Sequence, residues 1–264
     1  MSCEVIMGLH FIDGNNRFRT IFETSGSIRN VLVDMKMLPM FDTIIWVWDG
    51  HGAKDRRRAL YPGYKVGRQS AVDEFYKTMD LFKQVLRFTR CMSLEIPTWE
   101  ADDVIATLHR LYKDQTDSIT IHSTDGDYLA LCDGKHTKLE GRDKVEYDNT
   151  DFTEVRLYKT LVGDKSDKIT GIPGFGDVAW EHCDRERWMQ FFTEGYVPCW
   201  DSEAGSFHLG KKPLAWVKEN EAALKGMWEI TGFYDVDPEL IAKHLVVGQH
   251  DDKAINHILS DFMM

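Results

Sequence analysis

Three short runs of β-branched and aromatic residues, each ending beside an aspartate, constrain this chain more than any other feature. They are Gly8 to Ile12, Thr43 to Trp48 and Ser118 to His122, of strand length and mostly apolar. Between them the apolar residues recur at helical spacing: Val72, Phe75, Met79, Phe82 and Leu86, and again Ala101, Val104, Ile105 and Leu108. Buried strands alternating with amphipathic helices predict an α/β fold around a parallel sheet.

An aspartate stands at or just beyond the C-terminal end of each run: Asp13 after the first, Asp49 after the second, Asp125 and Asp127 after the third. Open α/β sheets bind their ligands in the crevice outside those strand ends. Asp13-Gly14, Asp49-Gly50 and Asp125-Gly126 also read as ordinary turns, and one such pair alone would mean no more. Three in parallel differ, because a parallel sheet brings the ends to one edge, where the carboxylates repel unless a cation sits among them. Glu100-Ala101-Asp102-Asp103 opens the helical pattern that continues to Tyr112, with Thr98 a candidate N-cap. The macrodipole favours acids in a first turn, but two aspartates beside a glutamate exceed what capping needs. Asp164 and Asp167 follow a helical stretch from Phe152 to Val162, and by themselves read as a polar loop.

Together these nine carboxylates would carry −9 of the chain's net −11, leaving the rest close to neutral. That matters because polyphosphate binding draws on Lys and Arg, and an acidic chain otherwise argues against it. A converging set of this size would protonate in part unless divalent ions occupied it, and hard oxygen donors select magnesium, with manganese able to substitute. More ligands than one ion needs imply two, an arrangement suited to in-line phosphoryl displacement. The five cysteines are scattered singly, with no zinc spacing, and read as reduced thiols. The apolar N-terminal stretch stops at Asp13 without the marks of a signal peptide, and no run approaches membrane-spanning length, so a soluble cytoplasmic protein is expected.

Lys54, Arg56, Arg57, Arg58, Lys65 and Arg68 stand against Asp55 alone, a local charge of +5. Arg56 to Arg58 fit either a solvated helix face or a phosphate contact. Tyr61-Pro62-Gly63-Tyr64 fits either a base-stacking surface or a turn packed on the core. With that segment the motifs fall into a familiar order. Asp13-Gly-Asn-Asn16, the basic run into Tyr61-Pro-Gly-Tyr-Lys65-x-x-Arg68, Glu100-Ala-Asp-Asp103, Ser123-Thr-Asp-Gly-Asp127, and Gly163-Asp-Lys-Ser-Asp167 followed by Gly171-Ile-Pro-Gly-Phe-Gly176 together resemble the 5′-nuclease, or flap endonuclease, family. The resemblance runs from Asp13 to about Trp180.

The resemblance implies a PIN-like parallel-sheet nuclease domain over residues 1–160, with a helical arch at about 52–92. A helix-hairpin-helix and a C-terminal helical region would follow over 161–264. It places Asp13, Asp49, Glu100 and Asp102 on a first Mg2+ and Asp125, Asp127, Asp164 and Asp167 on a second, with Asp103 contributing directly or through water. It gives Lys65 and Arg68 to the transferring phosphate. It makes Gly171, Gly174 and Gly176 a backbone cradle for a duplex phosphate, with K+ in some relatives. The implied activity is 5′→3′ exonuclease or flap cleavage of DNA, with an RNA–DNA hybrid a further candidate substrate, by a monomer. One departure stands out: where relatives commonly carry a lysine after the hairpin, this chain has Asp177-Val178-Ala179-Trp180.

Beyond the hairpin, Gly195 to Pro213 reads as a surface loop. Leu214 to Trp228 and Pro238 to Phe262 read as helices packed beneath the hairpin. The tryptophans at 180, 188, 200, 216 and 228 read as core, and no histidine is assigned to catalysis. Two other functions stay open: a PIN-like ribonuclease, which the arch and hairpin disfavour, and a catalytically silent structure-specific DNA-binding protein, which would often have lost a carboxylate.

Overall fold

The computed structural model describes residues 8–67, 71–141 and 154–262. In chain order the elements are β1 (Leu9–Asp13), α1 (Gly14–Ser25), α2 (Ile28–Lys36), β2 (Thr43–Asp49), α3 (Asp55–Leu60), α4 (Asp73–Leu86), β3 (Met92–Ile96), α5 (Ala101–Tyr112) and β4 (Ile119–His122). A 3-10 helix (Gly126–Leu131) precedes β5 (Thr137–Glu140) and α6 (Glu154–Leu161). Then come α7 (Asp177–His182), α8 (Arg185–Thr193), α9 (Trp200–Glu203), α10 (Lys211–Thr231), α11 (Pro238–His244), β6 (Leu245–Val247) and α12 (Asp252–Phe262).

Two compact units divide the chain: Met1–Ala53 with Gln69–Thr150 and Tyr234–Met264, and Lys54–Arg68 with Asp151–Phe233. The first holds one sheet in the order β5-β4-β1-β2-β3-β6, parallel except for the antiparallel edge strand β6. From β1 the chain first builds outward through β2 and β3, then returns to the other side of β1 for β4 and β5. The order therefore reverses between β1 and β4, and the crevice outside their C-terminal ends is where such a sheet binds ligands. On β2, Ile44, Trp46 and Trp48 join the core formed with α1, α2 and α4, while Ile45 and Val47, buried too, alternate to the opposite face, where α5 lies. Both faces are thus covered, which is why these strands read as unbroken apolar runs.

The structure divides the chain differently from the expected cut at residue 160. α4 buries Phe75, Met79, Phe82, Val85 and Leu86 in the sheet core, so the second half of the 52–92 stretch is a core helix of the first unit. Its first half, Lys54–Arg68, belongs to the second unit, where the buried Arg57 guanidinium donates to the carbonyls of Ile230 (3.1 Å) and Gly232 (2.9 Å). The expected helix from 238 to 262 is interrupted by β6, which pairs with β3, and Ile255 and Leu259 of α12 enter the sheet core instead of packing beneath the hairpin. In the second unit the Gly195 to Pro213 stretch carries α9 and buries Phe207 and Leu209, so it is more than a surface loop. Trp188 and Trp228 lie in that unit's core, with Trp180, Trp200 and Trp216 partly buried against it.

Candidate active site

Within the first unit, Asp13 ends β1 and also caps α1, accepting from the Asn16 N–H at 3.3 Å and from Ser123 Oγ at 2.9 Å. Ser123 follows β4, so its hydroxyl ties together the two strand ends on either side of the reversal. The same oxygen accepts from the Asp125 N–H at 3.1 Å, and Asp125 in turn caps the 3-10 helix by accepting from the Asp127 N–H. The Thr124 N–H donates to Asn16 Oδ1 at 2.9 Å and so ties the loop after β4 to the first turn of α1. On the other side, Asp49 accepts from the Ala101 N–H at 2.9 Å and so joins the end of β2 to the start of α5. The Asp49 N–H donates to Asn15 Oδ1 at 2.9 Å. Gly50 follows because a Cβ there would run into the Ile96 carbonyl at the end of β3. The glycine of this Asp-Gly pair thus serves close packing, and the aspartate beside it serves a second purpose.

Glu100, 2% exposed, occupies the N-cap position of α5, and Thr98, the expected cap, lies two residues earlier at φ 67°. Glu100, Asp102 and Asp103 each bring a carboxylate oxygen within 4.8 Å of the others. Asp103 also spends one oxygen on the Tyr234 N–H at 2.8 Å, anchoring the start of the last segment.

Electrostatics reveals the convergence. Burial, then the charge of Asp49, and more weakly that of Asp125, push the Asp13 carboxyl up to about 7, against the opposing bonds from Ser123 and Asn16. The buried Tyr128 hydroxyl is pushed up as well, by burial and then by Asp13, Asp102, Asp125 and Asp49. Three carboxylates from strand ends and one from the first turn of α5 are therefore felt at one phenol, and their mutual repulsion is what a divalent cation would relieve. Acidic oxygens are the donor set that magnesium and manganese take, so these residues fit such an ion.

In the second unit, Asp164 and Asp167 sit on the turn after α6. Burial alone would raise Asp164, but bonds from Lys159 (2.6 Å) and Ser166 outweigh it and hold the carboxyl at about 2. The Asp167 carbonyl accepts from the Lys65 N–H at 3.0 Å, which brings the basic segment to this turn. Lys65 itself takes φ 51°, with its ammonium 4.7 Å from the centre of the Tyr64 ring. Tyr64 is core, 2% exposed, and of the three consecutive arginines only Arg56 is exposed. Arg58 donates to the Tyr64 carbonyl, so two of the three hold the backbone in place. Arg68 lies outside the described residues.

The hairpin stands between α6 and α7, with Gly171 at φ 63° and Gly174 at φ 89°. A Cβ on Gly171 would come within 2.5 Å of the Val162 carbonyl carbon, so the loop folds back on the end of α6 only with glycine there. Gly176 is the extended N-cap of α7. Asp177, found where a lysine was expected, accepts from the Tyr158 hydroxyl at 2.6 Å. The residues that sequence reasoning missed are the neutral ones: Asn15, Ser123 and Tyr128. The first two stand inside motifs quoted for their acids.

The description "5'-3' exonuclease, N-terminal resolvase-like domain" matches residues 13–156, more than half of the chain. A 5'-3' exonuclease of Mycoplasma genitalium is 30% identical over 181 residues, covering 62% of this chain and 58% of that protein. DNA polymerase I of Streptococcus pneumoniae is 33% identical over 134 residues, 46% of this chain and 15% of the polymerase. The chain thus spans less than two thirds of either relative. Among solved structures, the T5 D15 protein co-crystallised with metal ions aligns with TM-score 0.63 at 20% identity, covering 97% of this chain and 98% of that one. The catalytic core of Rad2 in complex with DNA aligns with TM-score 0.54 at 13% identity, covering 97% and 86%. The fold is the one those nucleases share, and the chain belongs to the 5'-3' exonuclease family defined by that N-terminal domain.

Proposed function

We propose that this protein is a divalent-metal-dependent 5′→3′ exonuclease or flap endonuclease that hydrolyses DNA phosphodiester bonds. The observation that carries the reading is the gathering of acids in the first unit: Glu100, Asp102 and Asp103 bring carboxylate oxygens within 4.8 Å of one another, and Asp13 and Asp49 end the neighbouring strands β1 and β2 beside the reversal of the strand order. Asp13, Asp49, Glu100 and Asp102 would hold one Mg2+, with Asp103 in support. Asp125, Asp127, Asp164 and Asp167 would serve a second. When bound, the ions supply positive charge that lowers the pKa of the attacking water and stabilises the leaving oxygen.

The chain's own residues do the rest. Ser123 and Asn16 orient Asp13, and the Ala101 N–H orients Asp49, so the carboxylates are held before any ion arrives. Lys65 and Arg68 would neutralise the transferring phosphate. The Gly171 to Gly176 hairpin would bind a duplex phosphate through backbone N–H groups, with K+ held at its carbonyls. Support for the hairpin role comes from α10, whose Lys212 side chain passes 3.6 Å from where a Cβ on Gly174 would sit and can replace the missing lysine. Solved relatives include a T5 flap endonuclease complex with DNA and metal ions, which fits this reading.

The test is cleavage of 5′-labelled single strand, duplex, flap and RNA–DNA hybrid, with magnesium, manganese or excess EDTA. Magnesium-dependent cutting of DNA near the 5′ end is the expected result. Undiminished cleavage in EDTA would falsify the metal assignment, and exclusive cutting of RNA would favour the PIN-like ribonuclease.

A further inference from the structure

Asp80, Lys83, Gln84 and Arg87 recur at three- and four-residue spacing on α4 and its C-cap and so share one side of that helix, apart from the side that Phe75, Met79, Phe82 and Leu86 commit to the sheet core. Between this stripe and β3, within the first unit, opens a cleft of about 430 Å³, in the range of small-ligand sites. Ser93 and Glu95 of β3 and Val246 of β6 line its sheet side, and His51, Pro97 and His244 complete it.

The cleft starts at the carboxylate edge. His51 and Pro97 lie on the loops that carry the candidate ligands Asp49 and Glu100, and three bonds stitch those loops together: the Gly50 N–H to the Trp99 carbonyl (3.0 Å), the Thr98 N–H to the His51 carbonyl (2.8 Å) and the Ala101 N–H to Asp49 (2.9 Å). From there it runs toward the start of β3, which Arg87 precedes, and Asp80 and Arg87 stand about 10 Å apart along the helix.

The formal charges lining the cleft cancel, so it is no general trap for anions. Their placement is uneven. Lys83 serves both acids, 2.8 Å from Glu95 and 4.0 Å from Asp80. The Arg87 guanidinium, the Gln84 amide and the His51 and His244 rings have no hydrogen-bond or ion-pair partner among the described residues. Arg87 is not needed as a cap either, because the Phe88 and Thr89 N–H groups already reach the Val85 and Leu86 carbonyls. Acceptors therefore stand beside Lys83, an unspent fork of donors stands at the far end, and Pro97 and Val246 give an apolar wall. That order complements a phosphate at one end, a sugar in the middle and a base bearing N–H groups at the other.

We propose that this cleft holds one nucleoside 5′-monophosphate, its phosphate on Arg87. The inference rests on the nuclease reading for the source of that nucleotide, which is either the 5′-phosphorylated end of the strand being cut or the mononucleotide released from it. Both leave the carboxylate edge with the 5′-phosphate pointing away from the scissile bond, the direction in which Arg87 lies.

The experiment titrates the isotope-labelled full chain with dTMP, thymidine or inorganic phosphate, in EDTA so that binding is read by NMR without turnover. Two N–H signals report on the cleft: the Gln84 side-chain amide and the Trp48 indole, which donates to Ser93 Oγ at 3.2 Å. dTMP should shift both saturably, and thymidine, lacking the phosphate, should bind at least about tenfold more weakly. Arg87→Ala should weaken dTMP by about the same factor and leave thymidine unchanged, while Arg87→Lys recovers part of the loss. A short 5′-phosphorylated oligothymidylate that displaces dTMP identifies the strand end as the occupant. If it does not, the occupant is the released product, and either result supports the site. Absence of saturable shifts, equal dTMP affinity in wild type and Arg87→Ala, or inorganic phosphate binding as tightly as dTMP overturns the proposal. DNA cleavage in magnesium is scored separately: a chain that binds dTMP here but cuts no DNA refutes the nuclease reading and keeps the cleft.

Discussion

Asp13 shows how one residue carries both fold and chemistry. Its folded pKa of about 7 lies above the 3.8 of a free carboxyl, so the metal-free folded chain holds a proton that the unfolded chain releases. The stability this contributes is complete below pH 3.8 and is lost as pH rises through 7, a penalty of about 4 kcal/mol at neutral pH. Asp13→Asn should therefore raise the melting temperature in EDTA at pH 8, and the gain should vanish toward pH 4. The same variant should cut DNA more than about 100-fold slower, since even outer-shell partners of metal ligands cost 10–100-fold. Calorimetry across pH, set beside single-turnover cleavage in magnesium, checks both halves. A wild-type rate would remove Asp13 from the site.

The basic segment also separates residue by residue. Arg57→Ala leaves two buried carbonyls, those of Ile230 and Gly232, without their donor and should cost about 2–4 kcal/mol of stability. Arg56→Ala should leave stability within about 0.5 kcal/mol and weaken DNA binding, with a shallower salt dependence. Lys65→Ala should lower the single-turnover rate while affinity, measured in calcium, changes little. Denaturant melts and binding isotherms on the three single variants distinguish these roles. A normal rate for Lys65→Ala at saturating substrate removes Lys65 from the chemistry.

At the scale of elements, the hairpin between α6 and α7 is the sharpest test. Gly171 combines positive φ with a backbone contact that no side chain fits, so Gly171→Ala must shift the loop or α6. The expected outcome is weaker binding of duplex than of single strand, with the sheet unit's melting unaffected. Equal loss on both substrates would mean that the hairpin does not grip the duplex. Asp177→Lys, which restores the expected cation but removes the bond to Tyr158, should tighten duplex binding. That gain is the direct measure of what the departure costs this chain.

In the first unit, β6 and α12 bring the last described residues back onto the sheet. β6 closes the sheet against β3, and Ile255 and Leu259 of α12 pack with residues from α2 and α4 in one core. A fragment of residues 1–160, the domain that the sequence suggests, would expose that core and lack its edge strand. It should show no cooperative thermal transition, and adding back residues 234–264 as a separate peptide should restore part of it. A sharp calorimetric transition from the fragment alone would show that the closing segment is dispensable. Among the described residues no helix is long and apolar enough to cross a membrane.

The features legible in the amino-acid order were local or periodic. The strands β1, β2 and β4 were legible because both their faces are buried, and α4 and α5 because their apolar faces repeat at helical spacing. The acids at the strand ends were legible because parallel strands must bring their C-termini to one edge. β3 was not, since Met-Ser-Leu-Glu-Ile mixes exposed and buried positions, nor were the short β5 and β6, which are strands only by virtue of the neighbours they pair with. Arg57 is the plainest case. On the page it is one of three like charges, and only the carbonyls of Ile230 and Gly232, brought to it from 173 and 175 residues away, make it a core residue. Burial and partnership are set by contacts between distant segments, and those exist only once the chain has folded.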